Sequence, residues 1–358
     1  MIRDFAYEAN PRRVRFGYGS LESVAEELDH LGLRRVLVLC SPSQQSVADR
    51  AASILGDRCV GTRSDAVMHV PAELAARASA EAVSLRADGC VTVGGGSAIG
   101  LGKAIALKHR LPIVAVPTTY AGSEMTPVWG MTTDGRKETG RDTAVLPRTV
   151  LYDPDLTTGL PVGLSVTSGI NAVAHAVEAL YAPDISPIIA LMAEDGVRAL
   201  ALALPAIVAD PSDSQGRSDA LYGAWLCGAT LGATTMSLHH KLCHALGGTL
   251  NLPHAPTHTV VLPHVLAFNQ SHAPAAVAAL SRALPGTEDP ARRLWDLCRT
   301  IGAPRSLAEL GMAESDIDRI AEEATSRSYG NPRPVTREAV TTILRAAWAG
   351  DRPTESEQ

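Results

Sequence analysis

The chain has 358 residues, 46% of them hydrophobic and 20% charged, which is the composition of a globular protein with a large core and room for two domains. Its net charge of -6 and its lack of any Lys/Arg-rich run disfavour nucleic acids and anionic membranes as partners. The six cysteines form no C-x-x-C pair, and no segment is apolar and long enough for a signal core or a membrane span, so we expect a soluble cytoplasmic protein.

Strands and helices alternate in the first half of the chain. Short β-branched runs predict strands, and Ala-rich polar periodicity predicts helices between them. The predicted elements are strands at 34–40, 89–97, 111–119 and 148–154, helices at 44–55 and 71–85, a helix directly after the glycines near 95, and an Asp-Gly β-hairpin at 128–140. This alternation predicts an α/β domain with a mostly parallel sheet, and we place it at residues 1–160.

The second half changes character to long Ala- and Leu-rich segments with helical periodicity. The predicted helices are 165–182, 188–204, 216–234, 237–247, 273–284, 290–301, 314–326 and 335–348. We therefore predict an all-α domain at residues 161–358.

Two polar loops follow neighbouring predicted strands. The first is Gly94, Gly95, Gly96 and Ser97, where glycine lets backbone N–H groups approach a pyrophosphate at a helix N-terminus. A tight turn without a ligand is the alternative reading of these glycines. The second loop, "PTTYAGSEMT", offers the hydroxyls of Thr118, Thr119, Ser123 and Thr126. Together the loops suit a dinucleotide at the carboxyl edge of the sheet.

The segment "HHKLCHALGGTLNLPH", His239–His254, holds four histidines, and His258 follows shortly after. Imidazoles in this density can ligate a metal, carry positive charge toward an anionic substrate, or transfer protons. For His239, His258 and His264, an equally good reading is that of buried structural histidines.

The motif order GGGS-x5-K, PTT-x2-GSE, a histidine helix and a "PH" loop resembles the iron-containing alcohol dehydrogenase family, which is related in fold to dehydroquinate synthase and glycerol dehydrogenase. Stretches such as "SGINAVAHAVEALYA", "LYGAWLCGATLGA" and "YGNPRP" are most similar to its maleylacetate reductase subfamily. The resemblance covers nearly the whole chain. It implies a dehydroquinate synthase-like fold, an N-terminal domain that binds NADH or NADPH, and a helical catalytic domain.

The resemblance also assigns the positions of a metal site. The family's one Asp and three His ligands match Asn171, His175, His240 and His254. Asn171 is neutral, so the only anionic ligand is missing, although three histidines alone can hold zinc. We expect that no metal is required.

The expected function is reduction of the conjugated C=C bond of maleylacetate to 3-oxoadipate. We expect His240, His244 and His254 to be catalytic, completed by His175, and Asn171, Lys241, Arg327 and Tyr329 to contact a small dicarboxylate. Arg327 is equally well explained as a solvated surface charge. Further cofactor contacts are expected from Ser41, which follows a strand without a carboxylate, and from His69 and Lys137, whose loops face the cofactor in the family.

Two alternatives stay open at this point: a metal-dependent alcohol or polyol dehydrogenase of the same family, and a binding protein without activity. A homodimer is the default expectation for a soluble enzyme.

Overall fold

The structure is a computed structural model that describes residues 5, 7, 13–133, 136–284, 286 and 289–354. It divides into two compact units. One is Ala9–Leu160, and the other contains Pro161–Gln358 together with the residues before Ala9.

The first unit is built on a six-stranded parallel sheet. Its strands and main helices are β1 (Arg13–Phe16), α1 (Val24–Leu31), β2 (Val36–Cys40), α2 (Gln45–Leu55), β3 (Cys59–Arg63), α3 (Ala72–Ser84), β4 (Gly89–Val93), α4 (Gly96–His109), β5 (Ile113–Val116), the hairpin strands β6 (Val128–Thr133) and β7 (Arg136–Arg141), and β8 (Thr149–Tyr152). The order across the sheet is β1-β8-β5-β4-β2-β3, and every pairing within it is parallel.

Both faces of the sheet are covered, as a parallel sheet requires. Along β2, Val36 and Val38 face a core that includes α1 and α2, whereas Leu37 and Leu39 face a core that includes α3 and α4. This alternation follows from the two-residue repeat of a strand. The buried sheet fixes the ends of its strands, and the loops at those ends carry the candidate cofactor residues.

The predicted parallel α/β sheet is confirmed, with two strands and a helix added. β1 and β3 are the edge strands, and the sequence analysis did not predict them or α1. The hairpin of β6 and β7 is antiparallel as predicted, although its Asp-Gly turn at 134–135 lies outside the described residues.

The second unit is helical in its described part. Its helices are α5 (Val162–Leu180), α6 (Pro187–Ala209), α7 (Ser214–Ala233), α8 (Leu238–Leu250), α9 (His254–Asn269), α10 (Pro274–Ala283), α11 (Pro290–Thr300), α12 (Ile317–Thr325) and α13 (Arg337–Ala349). α5 is buried along almost its whole length from Ser165 onward. A core cluster joins α8 and α9 to α12 and α13. Among the described residues, no helix combines the length and apolarity needed to cross a bilayer.

The "PH" segment is not a loop. His254 is the first residue of α9, which continues to Asn269 although it contains Pro263. The predicted loop was wrong because a proline at the start of a helix is well tolerated, and the prolines in "HAPTHTVVLPH" made the segment look broken.

Candidate active site

The glycine loop joins β4 to α4 in a conformation that glycine allows. Gly94 has a φ of 138°, its N–H donates to Val116 O at 3.0 Å, and its O accepts from Thr118 N at 3.3 Å. A Cβ on Gly95 would lie 2.7 Å from Thr119 Oγ1. The loop therefore packs against the segment that follows β5, and a side chain at Gly95 would separate them.

The N-terminus of α4 is suited to an anion. Gly95 occupies the N-cap position, where a glycine has no side chain to cap the first N–H groups of the helix. A Cβ added at Gly96 would have no atom within 4 Å. The first backbone N–H groups of a helix need partners outside it and carry partial positive charge. Gly95, Gly96 and Ser97 thus form a backbone cradle that fits a phosphate group.

The second loop presents hydroxyls in two different ways. Thr118 is buried and its Oγ1 has no hydrogen-bond partner within the described chain, whereas Thr119 is half-buried beside Gly95. Thr126 is 2% exposed, and its hydroxyl bonds to Lys103 Nζ at 2.9 Å. The hydroxyl of Thr126 therefore supports the loop from inside, rather than lying free for a cofactor contact.

The predicted cofactor residues Ser41, His69 and Lys137 lie elsewhere in the same unit. Ser41 directly follows β2, and its Oγ lies 3.1 Å from Ser43 Oγ. His69 has a left-handed φ of 64°, and its O accepts a bond from Thr132 Oγ1 at 3.0 Å. Lys137 is in β7, but its side chain lies outside the described residues.

The helical unit gathers six imidazoles from three helices. α5 provides His175, α8 provides His239, His240 and His244, and α9 provides His254 and His258. Neighbouring ring centroids are 4.2 Å apart for His254 and His258, 4.9 Å for His258 and His240, and 5.3 Å for His240 and His175. We call these six residues the histidine cluster.

The six residues of the histidine cluster differ in how deeply they are buried. His244 and His254 are exposed, His175 and His240 are 3% and 6% exposed, and His239 and His258 are fully buried. The structure thus brings together all four predicted catalytic histidines. It also adds His239 and His258, which the sequence analysis left open between a functional and a structural role.

Glu178 lies at the buried end of the cluster, and the sequence analysis missed it. Its carboxylate is fully buried, accepts backbone N–H bonds from Ser237 at 3.0 Å and His239 at 2.8 Å, and lies 2.7 Å from His240 Nδ1. It therefore caps the start of α8 and holds the ring of His240. The signal was available, because the spacing in His175-x-x-Glu178 places both side chains on one helix face.

Burial and mutual repulsion set the charge of the cluster. Burial, followed by neighbouring imidazoles, lowers the pKa of His175 and His258 well below the ordinary range. Burial lowers the pKa of His239 to about 4, with Glu178 partly opposing it. Burial alone would raise the pKa of Glu178, but the His240 hydrogen bond and charge outweigh it and lower that pKa. The negative charge of the cluster therefore resides on Glu178, beside His240.

The four predicted substrate residues differ in placement. Asn171 is 3% exposed, and its Oδ1 has no hydrogen-bond partner among the described residues. Lys241 and Arg327 are exposed. Tyr329 is partly buried with its hydroxyl unpartnered in the described chain, and burial, aided by Glu178, raises its pKa to about 12.

A parallel α/β unit with a phosphate cradle at its strand ends, and a helical unit with a cluster of imidazoles, define the class of nucleotide-dependent oxidoreductases. Residues 11–154 match the family described as iron-containing alcohol dehydrogenase, and residues 165–348 match its C-terminal part. The chain belongs to the iron-containing alcohol dehydrogenase family.

Within this family, the chain is similar over nearly its whole length to maleylacetate reductases. It is 55% identical over 349 residues to the maleylacetate reductase of Burkholderia cepacia, covering 98% of this chain and 99% of that protein. It is 53% identical over 350 residues to the maleylacetate reductase of Pseudomonas sp. strain P51, with the same coverage. The crystal structure of maleylacetate reductase from Agrobacterium tumefaciens superposes with a TM-score of 0.95 at 48% identity, over 98% of this chain and 100% of that chain.

Proposed function

We infer that this chain is an oxidoreductase that reduces maleylacetate to 3-oxoadipate with NADH or NADPH. One observation carries the inference: about half of the residues are identical to those of several maleylacetate reductases, over nearly the full length of the chain. The arrangement of the histidine cluster supports it.

The reaction adds one hydride and one proton across a conjugated C=C bond. The hydride goes to the alkene carbon β to the ketone, the C=C π electrons move toward the carbonyl, and the resulting enolate takes a proton on its α carbon. An enolate is a weaker base than the alkoxide of an alcohol dehydrogenase. Hydrogen-bond donors can therefore stabilise it without a Lewis acid.

The first unit holds the dinucleotide in this proposal. The nicotinamide supplies the hydride when the cofactor is bound. Backbone N–H groups of Gly95, Gly96 and Ser97 bind the pyrophosphate, and Thr118 and Thr119 contribute hydroxyls from the adjacent loop. The unpartnered Thr118 Oγ1 and the space beside Gly96 support these assignments.

The residues at the family's metal positions match a divalent cation less well than the family's own set, because the anionic ligand is missing. Asn171 offers a neutral amide where the family has its carboxylate. Within the described chain, the group of three residues whose ligand atoms all lie within 4.8 Å of one another is His239, His240 and His258, and His240 alone of these three stands at a family ligand position. We therefore propose that the reaction proceeds without a metal.

His240 is the proposed enolate partner. Glu178 accepts from its Nδ1, which leaves Nε2 directed away from the carboxylate and without a partner among the described residues. When the ring carries a second proton, Nε2 can donate it to the enolate oxygen while Nδ1 still donates to Glu178. His244 and His254 are exposed, so they exchange protons with solvent and can supply the proton to carbon. Lys241, Arg327 and Tyr329 are the proposed contacts for the two carboxylates.

The test is NADH consumption with freshly made maleylacetate, with and without EDTA. We expect turnover that EDTA leaves unchanged. Loss of turnover on chelation would show that a metal is needed, and oxidation of simple alcohols with NAD⁺ in place of maleylacetate reduction would favour the alcohol dehydrogenase alternative.

NADPH should be accepted alongside NADH. NAD-specific sites carry an acidic residue after a strand to repel the 2′-phosphate, but Ser41, Pro42 and Ser43 follow β2. The nearby carboxylate of Asp65 is paired with Arg63. Steady-state kinetics with both cofactors decide this, and a preference for NADH above about a hundredfold, or ~2.7 kcal/mol, would contradict it. We further propose that the protein is a homodimer, which sedimentation of the purified protein tests, and that it is cytoplasmic, which fractionation of the cells that make it tests.

A further inference from the structure

Lys103 is a lysine inside the first unit. It lies on α4, two turns beyond the glycine loop, and is 1% exposed. Its Nζ donates to Ser123 O at 2.6 Å, to Val128 O at 2.7 Å and to Thr126 Oγ1 at 2.9 Å. The three short bonds match the three protons of an ammonium group. Two of the acceptors, on Ser123 and Thr126, lie on the loop that follows β5, and the third is the carbonyl of Val128 at the start of β6.

A buried ammonium is costly to maintain. Burial lowers the pKa of Lys103 to about 7, with the Glu124 carboxylate partly opposing this shift. A methionine of similar length would fill the same space without the desolvation cost. The hydrogen bonds therefore point to a role in geometry more than in stability.

The geometry links two pieces of the proposed cofactor site. α4 begins with the phosphate cradle, and the loop from Pro117 to Thr126 carries the hydroxyls of Thr118 and Thr119. The two pieces already touch where Gly95 meets Thr119. Lys103 fastens the other end of the loop to the same helix, at Ser123 and Thr126.

We propose that Lys103 is a positioning residue for the dinucleotide: it holds the second loop in register with the N-terminus of α4, so that both bind one phosphate group. This inference rests on the proposed function. Lys103 is the lysine of the GGGS-x5-K pattern, and in this proposal it acts on the cofactor site through the loop that it holds, without contacting the cofactor itself.

The test is Lys103→Met, compared with Lys108→Met on the same helix, where the lysine is exposed. Dissociation constants for NADH are measured by fluorescence titration, with Tm and kcat at saturating NADH measured in parallel. For Lys103→Met we expect the Kd for NADH to rise by about tenfold or more, equivalent to ~1.4 kcal/mol. We expect kcat to stay within about threefold of the original, because the reacting groups are untouched. Lys108→Met should match the unmodified protein in all three measurements.

A folded Lys103→Met protein with unchanged NADH affinity would overturn the inference and leave Lys103 a structural residue. If that variant does not fold, Thr126→Val serves instead. The buried hydroxyl of Thr126 accepts a hydrogen bond from Lys103, and valine removes this acceptor. We expect it to raise the Kd for NADH by about threefold, or ~0.7 kcal/mol, and an unchanged Kd would equally overturn the inference. Failure of the unmodified protein to bind NADH would instead contradict the proposed function.

Discussion

Glu178 connects the backbone of one helix to the chemistry of another. Its carboxylate accepts N–H groups at the start of α8 and the Nδ1 of His240 at once. A carboxylate in this place keeps a proton on Nδ1 and fixes where the second nitrogen, Nε2, points. The orientation of His240 therefore depends on a residue of α5.

We expect Glu178→Gln to lower kcat on the order of a hundredfold, the typical effect of losing one oxyanion donor. The amide keeps the size of the side chain but removes the negative charge that lies beside His240 Nδ1. Rapid-mixing or steady-state NADH oxidation measures kcat, and NADH titration should give an unchanged Kd. His272→Ala, at an exposed histidine, is the control, and an unchanged kcat in Glu178→Gln would remove His240 from its proposed role.

Asn171→Asp should create the metal affinity that the natural chain lacks. The added charge stands on the same helix face as His175, whose ring centroid lies 5.3 Å from that of His240, so the variant should acquire zinc or iron from solution. Elemental analysis of both purified proteins measures this. We expect well under one metal per chain in the original and close to one in the variant, with Asn171→Ala as the uncharged control. Stoichiometric metal in the original protein would show that the histidines are true ligands.

The sequence predicted that four family-matched positions share a site, and the structure brings the three histidines among them, His175, His240 and His254, into one cluster. It could not predict the depth of each histidine. His239 and His240 are adjacent in sequence, yet one donates to a backbone carbonyl of α9 and the other to Glu178. That difference is set by the packing of three helices, which no local pattern encodes.

At the scale of elements, the turn from β4 into α4 depends on the absence of side chains. We expect Gly95→Val to abolish NADH binding, because its Cβ would collide with Thr119 and its side chain would fill the phosphate cradle. Fluorescence titration measures binding, and circular dichroism should retain the helical signal. Gly163→Ala is the matched control, since nothing lies within 4 Å of its added Cβ. Normal NADH affinity in Gly95→Val would place the phosphate elsewhere.

Central elements were predictable and peripheral ones were not. β2, β4 and β5 are fully buried, and they are apolar apart from Thr92 in β4, which is the pattern of strands covered on both faces. β1 reads "RVRF" and β3 reads "CVGTR". Charged residues and a glycine are tolerated at a sheet edge, but they hide the strand from periodicity arguments.

At the scale of the whole molecule, the buried imidazoles make stability depend on pH. The folded pKa of His239 and of His264 is about 4, below the ordinary 6.5. Between these values the unfolded chain binds protons that the folded chain does not, so the free energy of unfolding falls as pH falls from 6.5 toward 4. Each such group contributes about 1.4 kcal/mol per pH unit at most.

Urea unfolding followed by circular dichroism at pH 7.5 and pH 5.0 measures this loss. We expect His264→Asn to reduce the difference between the two pH values by about 1–2 kcal/mol, because one suppressed proton site is removed. His272→Asn, at the exposed histidine, should leave the difference unchanged. An equal difference in all three proteins would mean that His264 titrates normally in the folded state.

The strand order has a consequence for synthesis on the ribosome. Among the described strands, β1 pairs with β8 alone, and Asp153, just past β8, accepts the N–H groups of Gly19 and Leu21. β1 therefore cannot form its pairing until β8 has been synthesised. A nascent chain that ends before Thr149 has β1 without its neighbouring strand and β5 with one unpaired edge. Such a chain is the stage most open to wrong strand pairing. Nascent chains arrested before and after residue 153 should accordingly differ sharply in protease resistance, and equal resistance would show that β1 finds another partner first.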